Sequence, residues 1–174
     1  NWVEYLNYNR VETQAFLEKP TQKVDLIVPR GGEQLIEFTK KHATCPVIVS
    51  GRGNNFVYVN KEADLKKALD IIINGKTTNI GVCNALDKVL IDTKLPNWQV
   101  FATELVAELK KYNVEILGDT AFANATQVPT IENEEIWYEE FLNYKIVIGI
   151  VNSDEEAIEK INKYCGGHSA SIIT

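Results

Sequence analysis

Tyr144-Lys145-Ile146-Val147-Ile148-Gly149-Ile150-Val151 constrains this chain more than any other stretch. After Lys145 it has no polar alternation. A strand with one wet face alternates apolar and polar residues, whereas an unbroken branched run needs apolar cover on both faces, as in a parallel sheet under helices. Shorter runs of the same kind recur at Asp25–Val28, Pro46–Val49, Phe56–Val59, Val89–Ile91, Val114–Leu117 and Ser171–Thr174. Helical periodicity lies between them. Residues 9–18 carry Val11, Ala15 and Phe16 on one face, and Leu35, Phe38 and His42 mark a second helix. Asn60 suits the N-cap of a third, whose stripe is Leu65, Ala68, Leu69, Ile72 and Ile73. Pro96-Asn97 opens a fourth with Phe101, Ala102, Leu105, Leu109 and Tyr112, and Ser153 to Glu156 reads as a capping box for a fifth. Strand and helix alternate, so the expected class is α/β, a mainly parallel sheet with flanking helices. Residues 118–138 lack a period and read as a surface excursion. The acidic cluster Glu132, Glu134 and Glu135 has no histidine beside it and reads as a solvated face, not a metal site.

Composition removes several function classes. A net charge of −6 with no basic cluster argues against nucleic acid as partner. No apolar run approaches the length of a membrane span. Three cysteines (Cys45, Cys83 and Cys165) with no close pair suit a reduced, cytoplasmic protein better than a disulfide scaffold. The 174 residues contain no Met, begin Asn1-Trp2 and stop at Ile172-Ile173-Thr174 in strand character. An incomplete chain is therefore expected.

The chemistry concentrates around Lys76-Thr77-Thr78-Asn79-Ile80-Gly81-Val82-Cys83-Asn84-Ala85. A cysteine on a short loop between helix and strand can be presented to a cleft, where its thiolate is the reactive form. A small buried hydrophobe is the competing reading of the same residue. Pro29-Arg30-Gly31-Gly32, between a strand and a helix, could form an anion site or a plain turn. Gly51 and Gly53 lack the third glycine of a dinucleotide fingerprint, so a bulge or tight bend is the simpler reading.

Three separated segments together resemble the glutamate-5-semialdehyde dehydrogenase (gamma-glutamyl phosphate reductase) family of the aldehyde dehydrogenase superfamily. Asp25 to Gly32 is similar to that family's D-L-I-I-P-R-G-G. The second segment runs from Pro46 through Val57-Tyr58-Val59 to Val82-Cys83-Asn84-Ala85-Leu86. The third comprises Glu140-Phe141-Leu142, Glu156-Ala157-Ile158 and His168-Ser169. The resemblance implies an aldehyde dehydrogenase-like fold, with 1–49 the end of a cofactor-binding domain and 50–174 a cysteine-bearing catalytic domain lacking its C-terminal tail. It implies Cys83 as nucleophile. Arg30, Gly31, Gly32, Gly51, Gly53 and Glu140 would be cofactor-binding, and Lys76 and Asn84 substrate-binding. The cofactor would be NADPH (NADP), the substrate glutamyl phosphate, and the reaction its reduction to the semialdehyde in proline biosynthesis. A homo-oligomer at full length and a functional link to glutamate kinase would follow.

Two departures bear on this. Thr78-Asn79-Ile80 stands where the family reads Gln-Arg-Pro, which removes a planar cationic donor beside the nucleophile. Asn54-Asn55 stands where the family commonly has a Cys-His pair. One absence instead supports a reductase: Ser50 stands where oxidising aldehyde dehydrogenases carry the glutamate that hydrolyses their thioester, and a serine cannot be that base at neutral pH. A second reading also stays open, a degenerate module that keeps the fold in a structural or regulatory role without turnover.

Overall fold

The computed structural model describes residues 3–49 and 53–174, the side chain of Glu33 excepted. They divide into two compact units, Asn1–Ser50 and Gly51–Thr174. In the first, α1 (Arg10–Glu18) starts at a full capping box. The Asn9 side chain accepts from Val11 N and Glu12 N, while the Glu12 carboxylate accepts from Asn9 N at 2.8 Å. α2 (Glu33–His42) follows Gly32 at its N-cap and carries Lys40 and Lys41 in its last turn, cations that suit the negative end of the helix dipole. The strands expected at 25–28 and 46–49 contract to one parallel bridge, Ile27 to Val47. Leu26, Val28 and Ile48 are exposed, so the continuous burial that their run implied is not realised within this unit.

The second unit is built on a five-stranded sheet in the order β3-β4-β2-β1-β5, with every pairing parallel. Its strands are β1 (Asn55–Val59), β2 (Leu86–Asp92), β3 (Glu115–Gly118), β4 (Lys145–Val151) and β5 (Ala170–Ile173). The helices are α3 (Leu65–Thr77), α4 (Trp98–Lys111), α5 (Thr120–Thr126) and α6 (Asp154–Tyr164). Both faces of the central strands are covered. Val57, Val59, Val89, Ile91, Ile146, Ile148 and Ile150 pack with Ile72, Phe101, Leu105 and Phe122. Phe56, Tyr58, Leu90, Val147 and Val151 meet Trp137, Phe141 and Ala157 on the other face. Each such aliphatic or aromatic side chain removed from water contributes about 1.5–3 kcal/mol.

Several local expectations need correction. Asp64, not Asn60, caps α3, accepting from Lys67 N at 3.0 Å. Asn60 instead donates to Asp154 Oδ1 at 2.7 Å. The same carboxylate oxygen lies 2.7 Å from the buried Tyr58 hydroxyl, which is also 2.8 Å from Asp92 Oδ2. Burial, then these two anions, push the Tyr58 pKa well above its ordinary value. Tyr112 sits at the C-cap of α4, half exposed. The capping box of α6 is only half made. Ser153 Oγ accepts from Glu156 N, but the Glu156 carboxylate is taken by Asn152 N and Nδ2.

The largest correction concerns residues 118–138, which contribute Gly118, Phe122, Ala123, Val128 and Trp137 to the core, although the acidic stretch 132–135 is exposed. Asp119 caps α5 by accepting from Phe122 N at 2.8 Å, and its other oxygen accepts from Ile150 N at 2.6 Å. Phe122 is fully buried. Gly118 N donates to Pro129 O and Ile131 N to Gly118 O, which ties the segment to β3. Trp137, in the 3-10 turn Glu134–Tyr138, packs where a Cβ at Gly149 would come within 2.7 Å of its ring. Among the described residues no helix is long and apolar enough to cross a membrane, and no group of three or more metal-ligating side chains is found.

Phe122→Ala should therefore cost about 3–5 kcal/mol in urea unfolding, as a large core deletion does. Hydrogen exchange at Ala123 should be slow, comparable with β4. A loss under about 1 kcal/mol would restore the reading of a surface excursion.

Candidate active site

Parallel pairing sets the beginnings of β1 and β2 side by side. Asn55 pairs with Leu86, and then the register shifts so that Phe56 meets Lys88 and Asp87 is the extra residue. Such irregularities re-aim side chains next to functional sites. The loop that enters β2 carries Cys83, which is exposed. Its backbone is held by Asn55, whose Nδ2 donates to Cys83 O and to Ala85 O, each at 2.8 Å. Asn55 is 3% exposed, and its Oδ1 accepts from Ser169 Oγ at 2.6 Å. The buried amide is thus fully committed, with both donors on the cysteine loop.

Gly53 lies beside the same loop. A Cβ there would collide with Glu140 Oε1 and would stand 2.6 Å from Cys83 O. Only a glycine lets the backbone pass so close. The neighbouring Asn54 adopts a left-handed φ of 49° and is buried, and its Nδ2 donates to Trp137 O and Tyr164 O at 2.8 and 2.6 Å.

Behind the loop is a group of buried charges. Lys76 Nζ of α3 pairs with Asp87 Oδ1 at 3.2 Å, both side chains nearly inaccessible. Asp87 Oδ2 accepts from Phe141 N at 3.4 Å. Lys88 Nζ donates to Glu139 O at 2.7 Å and lies 3.7 Å from the centroid of the Phe141 ring. Burial pulls the Lys88 pKa down to about 7 against the attraction of Asp87. Burial also lowers that of Lys76, again opposed by Asp87.

The curated gamma-glutamyl phosphate reductase of Clostridium botulinum is 44% identical over 151 residues, which is 87% of this chain and 36% of that protein. The crystal structure of gamma-glutamyl phosphate reductase from Thermotoga maritima matches with a TM-score of 0.87 at 38% identity, over 97% of this chain and 40% of that one. The chain is similar to a stretch of gamma-glutamyl phosphate reductase. It spans little more than a third of the length of these reductases. A propionaldehyde dehydrogenase from Clostridium phytofermentans shares the fold, at a TM-score of 0.65 and 20% identity. The sheet and its helices are thus aldehyde dehydrogenase-like. No protein-family model matches the chain.

Of the residues that the reductase resemblance singled out, the structure brings Gly53, Cys83 and Glu140 together. Gly51 lies outside the described residues. Arg30, Gly31 and Gly32 lead into α2 in the other unit. Asn84 is exposed and lines a cavity of about 380 Å³ with Asn55, Asp70, Asn74, Ser169 and Ser171. Lys76, expected to be substrate-binding, is wholly buried and paired with Asp87. The role of Asn55, named only as part of a departure from the family's pattern, and that of Lys88 were not read from the sequence. Their signals were a polar residue at a strand entrance and a lysine inside an apolar strand.

Asn55→Ala should lower stability by about 1–3 kcal/mol, the cost of leaving two buried carbonyls without donors. Asn55→Asp, isosteric but bringing acceptors to acceptors, should cost more than Asn55→Ala, and Ser169→Ala less than either. Urea midpoints check the order. Equal stability of Asn55→Asp and wild type would remove the clamp.

Proposed function

We propose that this chain is the cysteine-bearing part of a reductase that converts L-glutamyl 5-phosphate to L-glutamate 5-semialdehyde. The similarity to gamma-glutamyl phosphate reductases supports this, and so most directly does the meeting of Cys83, Gly53 and Glu140 at one point. Proline biosynthesis is the setting in which such a reaction serves.

In this reading the Cys83 thiolate attacks the carbonyl carbon of the acyl phosphate. The new C–S bond forms as the C–O bond to phosphate breaks, and phosphate leaves with the electron pair. The Cys83 backbone N–H, on the loop that Asn55 holds, is the candidate donor for the oxyanion. When bound, NADPH would supply the hydride that reduces the resulting thioester to the aldehyde, with the Cys83 thiolate as leaving group. The residues present fit a nicotinamide nucleotide. Gly53, having no side chain, lets the Glu140 carboxylate close against the Cys83 loop, and that carboxylate would be an acceptor for ribose hydroxyls. By the resemblance, Arg30, Gly31, Gly32 and Gly51 would also be cofactor-binding residues, with NADPH preferred over NADH. Asn84, next to Cys83 in the sequence and in the lining of a cavity, would meet the glutamyl group.

Cys83→Ala in the full-length protein should abolish phosphate-dependent reduction of NADP by the semialdehyde. Cys45→Ala and Cys165→Ala should leave it largely intact. Cys165 sits at the C-cap of α6, where the helix dipole disfavours a thiolate. A folded Cys83→Ala protein that keeps most of the activity would defeat the proposal. If an arginine beside the nucleophile holds phosphate, Asn79→Arg should lower the KM for phosphate. An unchanged value would place phosphate recognition elsewhere.

A further inference from the structure

A lysine in the middle of a covered strand is expensive. Lys88 has no exposed surface, and a methionine of similar length would fill the same space without the desolvation cost. What Lys88 touches explains its presence. Its ammonium donates to Glu139 O and stands over the Phe141 ring, the residues on either side of Glu140. The adjacent Asp87 accepts from Phe141 N, and Asp87 is in turn held by Lys76. Two hydrogen bonds thus grip the backbone flanking Glu140 from β2 and a cation–π contact grips the Phe141 ring, while the Glu140 carboxylate reaches Gly53.

We propose that Lys88 is a positioning residue, which fixes the Glu139-Glu140-Phe141 segment from within the sheet and so aims the Glu140 carboxylate at Gly53 and the Cys83 loop. The inference rests on the reading of Glu140 as a cofactor contact.

Asp87 on β2 and Glu139 on the gripped segment favour the Lys88 ammonium. Burial, the largest influence, opposes it together with Lys76 from α3 and Lys145 from β4, and outweighs the two carboxylates. The grip therefore has two strengths. Below about 7 Lys88 is an ammonium with a cation–π attraction to Phe141. Above it the neutral amine still offers an N–H to Glu139 O, but the attraction to the ring is lost. Global stability moves the other way. The folded pKa lies below the ordinary 10.5, so the unfolded chain binds more protons between these values and stability rises with pH across that window. A lysine with only a structural role would show the second trend without the first.

The test uses the full-length protein with Lys88→Met, and with Phe141→Leu as a second variant that removes the ring but keeps the lysine. Without cofactor, hydrogen exchange in residues 139–142 should quicken about tenfold in both variants, the equivalent of one desolvated cation–π contact. Exchange in β4 should stay unchanged. Wild-type protection of 139–142, corrected for intrinsic rates, should fall as pH rises through about 7, and Lys88→Met should be flat. With cofactor, Lys88→Met should raise the KM for NADPH about tenfold, with a smaller effect on kcat. Unchanged exchange in both variants overturns the inference. If Glu140→Gln raises the KM for NADPH and Lys88→Met does not, the positioning role falls while the cofactor reading of Glu140 stands. If neither raises it, the reading of Glu140 falls, and the inference with it.

Discussion

The parallel pairing of β1 with β2 is the constraint on which the rest of the site depends. Parallel strands begin at the same end of a sheet, so the loops that enter them are neighbours however far apart they lie in sequence. Here those loops carry Gly53 and Cys83. The shift between Asn55 and Phe56 then decides which side chains face which way. Leu86, Val89 and Ile91 pack on one face of the sheet, Leu90 on the other, and the extra residue is Asp87. Without the shift, regular alternation from Leu86 would put Lys88 on the same face as Leu86 instead of toward Phe141.

Charge is buried behind the loop, and its arrangement has a cost. A buried ion pair such as Lys76 with Asp87 contributes little net stability relative to apolar residues, but breaking it from one side strands a charge. The group around Asp87 joins α3, β2 and the 139–141 segment through one carboxylate. Its contribution is to fix one arrangement of three elements rather than to strengthen any of them. Trp137 extends that order to β4 through the absent side chain at Gly149.

Where burial was continuous the sequence was a good guide. The runs at β1, β2 and β4 and the stripes of α3 and α4 announced themselves because apolar periodicity is set by the same faces that pack. The gaps have physical causes. α5 is seven residues of Thr, Ala, Phe and Asn, too short for a stripe, and its stability comes from the Asp119 cap and a single phenylalanine. Runs 25–28 and 46–49 carried the branched residues of strands, yet pattern alone cannot say what covers them. Cys83, Gly53 and Glu140 were legible through resemblance. Asn55 was not, because an amide that joins two carbonyls to a serine 114 residues away leaves no local trace.

That sequence separation matters during synthesis. The carbonyls of Cys83 and Ala85 can be held by Asn55 as soon as β1 and β2 have left the ribosome. Asn55 itself is braced only when Ser169 emerges, and β5 completes the edge of the sheet next to β1 at the same moment. At ordinary translation speeds the interval is on the order of ten seconds. Throughout it the nascent chain carries its exposed thiol on a half-braced loop, open to oxidants and electrophiles that the finished protein meets in a fixed geometry.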